Sequence, residues 1–261
     1  MNASVRNGLR AASPILLFLV FAAAWHLLVR WLDVPKIILP SPLAVMNAFW
    51  EERWILLRAS WVTLQAAAVG LFCSAVLGSF IAIVFSQSSI LRVALYPYVI
   101  FLQTVPIVAI APLLIIWSGN NFRTIVLVAV IISIFPIISN VTSGLLAVNE
   151  NLRDLFRMQS ATRWQTLLKL RIPAAMVQLI LGLRVSSGLA VIGAIVAEFF
   201  VGNSGEYDGL GTIMTARQAT LRTPELMAAL VACTALGILL FLSVNLLGAT
   251  VLRRWTRTQG Y

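Results

Sequence analysis

Six stretches of this chain are apolar over the length a helix needs to cross a bilayer: residues 14–32, 61–85, 93–117, 122–146, 176–201 and 226–252. About 20 mostly apolar residues cover the hydrocarbon core, and only a helix or a closed barrel satisfies its backbone polar groups there. The predicted fold is therefore all-α, a polytopic transmembrane bundle of six spans. Composition agrees. Of 261 residues, 60% are apolar and 11% charged, against about 45–50% and about 25% in soluble chains. Too little charge remains to cover a soluble surface. The first run has the outline of a signal peptide, with Arg6 and Arg10 ahead of it and Ala22-Ala23-Ala24 inside. Its apolar residues continue through Trp25, Leu27, Leu28, Val29, Trp31 and Leu32, which favours an uncleaved span.

Six spans put both ends on the same side. With that side cytoplasmic, it collects Arg6, Arg10, Arg92, the cations of 149–173 (Arg153, Arg157, Arg163, Lys169, Arg171) and Arg253, Arg254 and Arg257. The opposite side holds fewer cations, diluted by Asp33, Glu51, Glu52, Glu206, Asp208 and Glu225. Retention of arginine in cytoplasmic loops accounts for the net charge of +10 and argues for a lipid bilayer, not nucleic acid, as the partner. The expected organisation is a cytoplasmic tail at 1–13, a membrane domain at 14–252 and a second cytoplasmic tail at 253–261. Two loops are expected outside: 33–60, a proline-bearing interfacial segment with tryptophans, and 202–224, polar and turn-rich. Cys73 and Cys233 lie in apolar runs and suggest no disulfide framework. The lone His26 has no cluster of ligands around it, so no metal site is expected.

Small residues recur every fourth position at Gly70, Ser74, Gly78 and Ala82, and again at Gly182, Ser186, Ala190 and Ala194. Each series lines one helix face and predicts close packing. The third run carries Pro97, Pro106 and Pro112, with Gln103 and Thr104 near its middle; the fourth carries Pro136 with Asn140 nearby. Proline frees backbone carbonyls, and broken helices with polar groups at mid-depth are the usual construction of a substrate path. Gln103, Thr104, Pro106 and Asn140 are the path candidates. Arg184 and Glu198 are ionisable residues within the fifth run, about 21 Å apart along a helix and so unable to pair. Each is equally readable as a gating charge or a structural one.

The chain has no phosphate-binding Gly-Lys pair and no assembled nucleophile, so it carries neither an ATPase site nor a catalytic one. Transport is then either gradient-driven, with Glu198 as the ion or proton site, or powered by a partner. Residues 149–173 bear on that choice. Leu152, Leu155, Phe156 and Gln159 recur at helical spacing, Ser160-Ala161-Thr162 reads as a break with a new N-cap, and a second helix begins at Trp164 and is expected to stop at Pro173.

This segment resembles the EAA loop of permeases in binding-protein-dependent ABC importers: Glu-Ala-Ala, three residues, Gly, nine residues, then Ile-x-Leu-Pro. Asp154-Leu155-Phe156 stand at the first three positions, Ser160 at the glycine and Leu170-Arg171-Ile172-Pro173 at the end. The spacing is intact, while Asp154 replaces the glutamate, Leu155 and Phe156 the two alanines and Ser160 the glycine. Val105-Pro106, Ala111-Pro112-Leu113, Ile116-Trp117, Phe135-Pro136-Ile137, Gly182-Leu183-Arg184 and Ala197-Glu198-Phe199 look like the nitrate/sulfonate/taurine-type subfamily, which also includes riboflavin and pyrimidine-precursor importers. Tyr96-Pro97 and Gln103-Thr104-Val105-Pro106 look slightly more like the vitamin-precursor branch.

The resemblance implies a MetI-like permease fold in a bacterial inner membrane, working as the transmembrane subunit of an importer and not as an enzyme. It implies a second permease copy, a cytoplasmic ABC ATPase dimer and an external solute-binding protein facing loop 202–211. It also implies that the chain holds no cofactor, ATP being bound by the partner. Asp154, Leu155, Phe156, Ser160, Ala161, Arg163 and Trp164 are the ATPase-coupling candidates. The motifs identify the family better than the solute.

Overall fold

The computed structural model describes residues 3–201 and 208–256, and every regular element among them is helical. In chain order these are α1 (Ala3–Trp31), α2 (Pro42–Glu51), α3 (Arg53–Gln87), α4 (Ser89–Thr104), α5 (Ile107–Ser118), α6 (Phe122–Leu146), α7 (Glu150–Met158), α8 (Arg163–Thr166), α9 (Ile172–Val201), α10 (Leu210–Ala219) and α11 (Thr223–Thr256). Four helical runs are long and apolar enough to cross a membrane: α3, α6, the continuous run Arg163–Val201, and α11. The pair α4 and α5 makes a fifth if it forms one span, and the apolar part of α1, Leu16–Trp31, is shorter. Part of the external loop expected at 202–211 falls on residues 202–207, outside the described residues.

The chain divides into two compact units: residues up to Leu57 with Ile213–Val231, and Arg58–Thr212 with the chain from Ala232 onward. In the larger unit α6 is the spine, and both small-residue stripes pack on it. A Cβ at Gly70 would lie 2.6 Å from the Ala129 Cβ, one at Gly78 2.9 Å from the Ile137 Cγ2 and one at Gly182, in the second stripe, 3.2 Å from the Ile137 Cα; one at Gly193, beside that stripe, would lie 2.8 Å from the Ala129 Cα. Such contacts leave room for hydrogen only, so the absent side chains let three backbones meet. A polar layer crosses the packing. Ser74 and Ser133 share a hydroxyl hydrogen bond of 2.7 Å, and the Ser186 hydroxyl donates to the Ser133 carbonyl at 2.6 Å. Every hydroxyl there is paired, as burial in an apolar bundle requires. On another side of α6, Phe85, Val99, Ile134 and Ile138 form an apolar cluster joined by Ile81, Tyr96 and Phe135, which fastens α4 to α3 and α6.

The third expected span, 93–117, is not one helix. α4 and α5 meet at an angle of 99°. Pro106 disfavours the helical conformation for the residue before it, and Val105 is extended, with φ −70° and ψ 126°. Pro106 then serves as the N-cap of α5. Gln103 and Thr104 consequently lie at an elbow and not at mid-span. Pro97 and Pro112 are accommodated within α4 and α5.

In the smaller unit, part of the expected interfacial segment folds as α2, capped by Ser41 with Pro42 at its first position. The Arg53 guanidinium lies 5.0 Å from the Trp50 ring centre and 5.6 Å from that of Trp54. Glu52 is buried and held by Arg217 at 2.7 Å and Arg222 at 3.6 Å, and Arg222 also reaches Glu225 at 2.7 Å. A buried carboxylate with two guanidiniums is paired as its desolvation demands.

Candidate functional site

The segment 149–173 is a helix–turn–helix whose ends are built by local hydrogen bonds. Asn149 caps α7, its side-chain oxygen accepting from the Asn151 N–H at 2.9 Å. α7 closes with a Schellman motif: the Ser160 N–H donates to the Arg157 carbonyl at 2.9 Å and the Ala161 N–H to the Phe156 carbonyl at 3.0 Å. Ser160 is left-handed, with φ +53°. That conformation gives glycine its physical reason at this place in the EAA pattern, and serine occupies it here against its steric preference. Thr162 starts α8 with a capping box, accepting from the Gln165 N–H at 3.2 Å while its own N–H donates to Gln165 Oε1 at 2.8 Å.

The second helix does not stop at Pro173, as the sequence suggested. Leu167–Arg171 form a π-turn, in which the Ile172 N–H reaches the Leu167 carbonyl, and the helix runs on as α9. Pro173 cannot donate to the carbonyl four residues back and its ring crowds it; the wider turn relieves that clash without ending the helix. The displayed surface mixes charge with apolar side chains. Asp154, Leu155, Ser160, Arg163 and Trp164 are exposed, and Phe156 and Ala161 half-buried. Leu155 is 49% exposed, Met158 84% and Trp164 70%. The Asp154–Arg157 ion pair, 3.3 Å long and open to solvent, contributes about 0–1 kcal/mol. Leu167, 2% exposed, anchors the base of the segment.

Glu198 is wholly buried near the other end of α9. Its carboxylate accepts from the Thr63 hydroxyl at 2.8 Å (Oε1) and 3.0 Å (Oε2), and from the Gly211 N–H at 2.8 Å. The same Thr63 oxygen accepts from the Leu210 N–H at 2.9 Å, and the Thr212 hydroxyl reaches the Glu198 carbonyl at 3.3 Å. Leu210 and Gly211 open α10, so Glu198 and Thr63 together supply the cap that α10 otherwise lacks, with a carboxylate at the positive helix end. A Cβ at Gly209 would sit 2.1 Å from Glu198 Oε1, and one at Gly211 2.5 Å from the Ile195 carbonyl. Both glycines are needed for this approach. Thr63 went unmarked in the sequence, and Gly209 and Gly211 were read only as part of a polar, turn-rich external loop, whereas the structure buries both.

The path candidates are not joined by hydrogen bonds. Thr104 and Asn140 each bond within their own helix, to the Phe101 carbonyl at 3.0 Å and the Pro136 carbonyl at 2.8 Å. Gln103, Thr104 and Pro106 are exposed and Asn140 is half-buried. Arg184 is half-buried, and its Nε is buried without a hydrogen-bond partner. Among the described residues no group of three or more His, Cys, Asp or Glu side chains comes together.

Fold and site together define a polytopic helical membrane protein that displays a helix–turn–helix beyond its bundle. The chain belongs to the binding-protein-dependent transport system inner membrane component family, which it matches over residues 74–257. It is 30% identical over 256 residues to the formylaminopyrimidine transport permease protein ThiX of Halalkalibacterium halodurans, covering 98% of this chain and 100% of that one. It is 31% identical over 243 residues to the riboflavin transport system permease protein RibX of Chloroflexus aurantiacus, covering 92% and 88%. Its fold matches a chain of the MetNI methionine ABC transporter, solved in inward-facing conformations, with TM-score 0.64 and 18% identity over 77% of this chain and 98% of that one. The chain is an inner-membrane permease subunit of an ABC importer.

Proposed function

We propose that the chain crosses the bacterial inner membrane six times with both termini in the cytoplasm, with α1 as the first span and the bent α4–α5 pair as the third. The organisation is a tail at 1–13, the permease domain at 14–252 and a tail at 253–261. Segment 149–173 is the coupling loop to a pair of cytoplasmic ATPases, which hydrolyse ATP on behalf of the transporter. Two copies of the chain supply two such loops for two ATPases. An external solute-binding protein delivers the solute, and the chain itself holds no cofactor.

The observation that carries this reading is the exposed apolar set Leu155, Met158 and Trp164 on a short helix–turn–helix whose two helices each begin at a side-chain N-cap. A partner groove buries such a face. Asp154, Phe156, Ser160, Ala161 and Arg163 shape and flank it. ATP binding in the partner favours one of two packed arrangements, and this segment carries the bias into the bundle. The solute path runs past Gln103, Thr104 and Pro106 at the elbow and past Asn140 on α6, with Arg184 as a gating charge and Glu198 as a structural one. The relatives named for formylaminopyrimidine and riboflavin support a small heterocyclic vitamin precursor as the solute class.

Affinity purification of the chain from its native membranes in mild detergent tests the reading. An ATPase subunit is expected to copurify and to be lost from Trp164→Glu, with uptake lost in the same variant. A Trp164→Glu chain that retains its ATPase and its uptake removes the coupling role from this loop.

A further inference from the structure

Five arginines surround one cavity in the larger unit. It encloses about 470 Å³ and is lined by Arg92, Arg153, Arg157, Arg163 and Arg171, with no acidic side chain among its walls. Arg157 pairs with Asp154, and Arg171 donates to the Ser86 carbonyl at 3.0 Å. The guanidiniums of Arg92, Arg153 and Arg163 have neither an ion pair nor a hydrogen bond among the described residues. Like charges gathered around a space repel one another, and an anion in that space reverses the sign of the interaction. A guanidinium presents a fork of donors matched to phosphate oxygens.

A second cavity of about 400 Å³ shares Arg92 and Leu146 with the first and continues along α4 and α6 between Val93, Tyr96, Pro97 and Ser139. Thr142 lines it, is 4% exposed, and has a buried hydroxyl oxygen with no hydrogen-bond partner. The two spaces together are basic at one end and apolar at the other, with an unused hydroxyl along the way. A soluble phosphate fills only the first.

We propose that the paired cavities bind an anionic phospholipid of the leaflet beside segment 149–173. Its phosphate meets Arg92, Arg153 and Arg163, an ester carbonyl accepts from the Thr142 hydroxyl, and the acyl chain follows the apolar trough along α4 and α6. The lipid links α4 to α7 and α8, so it sets how firmly the coupling segment is held to the bundle. The identification of that leaflet as the cytoplasmic one, where anionic lipid and basic segments meet, rests on the proposed sidedness of the loop.

The test is lipid retention by the purified chain in mixed micelles of phosphatidylglycerol and phosphatidylcholine, read by native mass spectrometry. Phosphatidylglycerol is expected to be retained over phosphatidylcholine, and to fall about tenfold or more in the Arg92→Gln/Arg153→Gln variant. Arg92→Lys/Arg153→Lys, which keeps the charge, is expected to retain most of it. Thr142→Val, which keeps the shape, is expected to retain less than the unaltered chain at an unchanged melting temperature. Equal retention in the Gln variant overturns the proposal. So does displacement by excess inorganic phosphate, which marks a site for the free anion. Loss of the copurifying ATPase from the Gln variant with lipid retention intact also overturns it, because the cavity is then a protein contact. Labelling of Ser160→Cys from outside sealed cells separately tests sidedness: a labelled loop refutes the cytoplasmic assignment and leaves the lipid result standing.

Discussion

At the scale of single residues, one hydroxyl has the largest consequence. Thr63 donates into the Glu198 carboxylate and accepts from the first N–H of α10. Thr63→Val keeps the shape but leaves Leu210 without its acceptor and the Glu198 carboxylate with the Gly211 backbone N–H as its remaining donor. An unsatisfied buried group costs about 1–3 kcal/mol, and two groups are affected. Thr63→Val is therefore expected to melt several degrees lower in detergent, and Thr63→Ser, which keeps the hydroxyl, close to the unaltered chain. Equal melting of the Val and Ser variants would show that the carboxylate does not depend on this donor. Glu198 was visible in the sequence as an ionisable residue in a span, but its partners were not. Thr63 precedes it by 135 positions, and no local period links the two.

At the scale of elements, periodic features were legible and backbone exceptions were not. The four-residue stripes on α3 and α9 announced close packing because small side chains at that spacing line one face, and α6 receives both. Two prolines were read by rule with mixed success. Pro106 sharpened an expected irregularity into a 99° bend, whereas Pro173, expected to stop a helix, is absorbed by a π-turn that restores the hydrogen bonding around it. The break at Ser160-Ala161-Thr162 was legible from residue types, and its geometry supports a quantitative expectation. Ser160 holds a left-handed conformation that costs a non-glycine residue about 1–2 kcal/mol. Ser160→Gly relieves that strain and Ser160→Val increases it. Hydrogen exchange at the Ala161 amide, which closes the Schellman motif onto Phe156, is expected to slow by about fivefold in the first variant and to speed up in the second. An exchange rate unmoved by both substitutions would mean that the turn is not set by this residue.

At the scale of the whole molecule, the energy source separates the two transport classes that the sequence left open. A proton- or ion-driven carrier exposes its coupling carboxylate to each side of the membrane in turn. The acidic residue available for that task inside a predicted span, Glu198, is 0% exposed, accepts hydrogen bonds from Thr63 and Gly211, and holds the start of α10 in place. Exposing it dismantles the cap of a helix, so alternating access around this group carries a structural cost that an ion site avoids. The coupling segment has the opposite character: its apolar side chains are already exposed and each of its helices starts at a local side-chain cap, so a partner engages it without prior rearrangement. In proteoliposomes holding the complete transporter, uptake is therefore expected to stop with vanadate and to continue with a protonophore at fixed ATP. Glu198→Gln is expected to lower uptake only in proportion to the folded protein recovered, with the pH dependence of transport unchanged. Uptake that survives vanadate, collapses with the protonophore and loses its pH dependence in Glu198→Gln would assign the driving force to the buried carboxylate instead of to the partner ATPases.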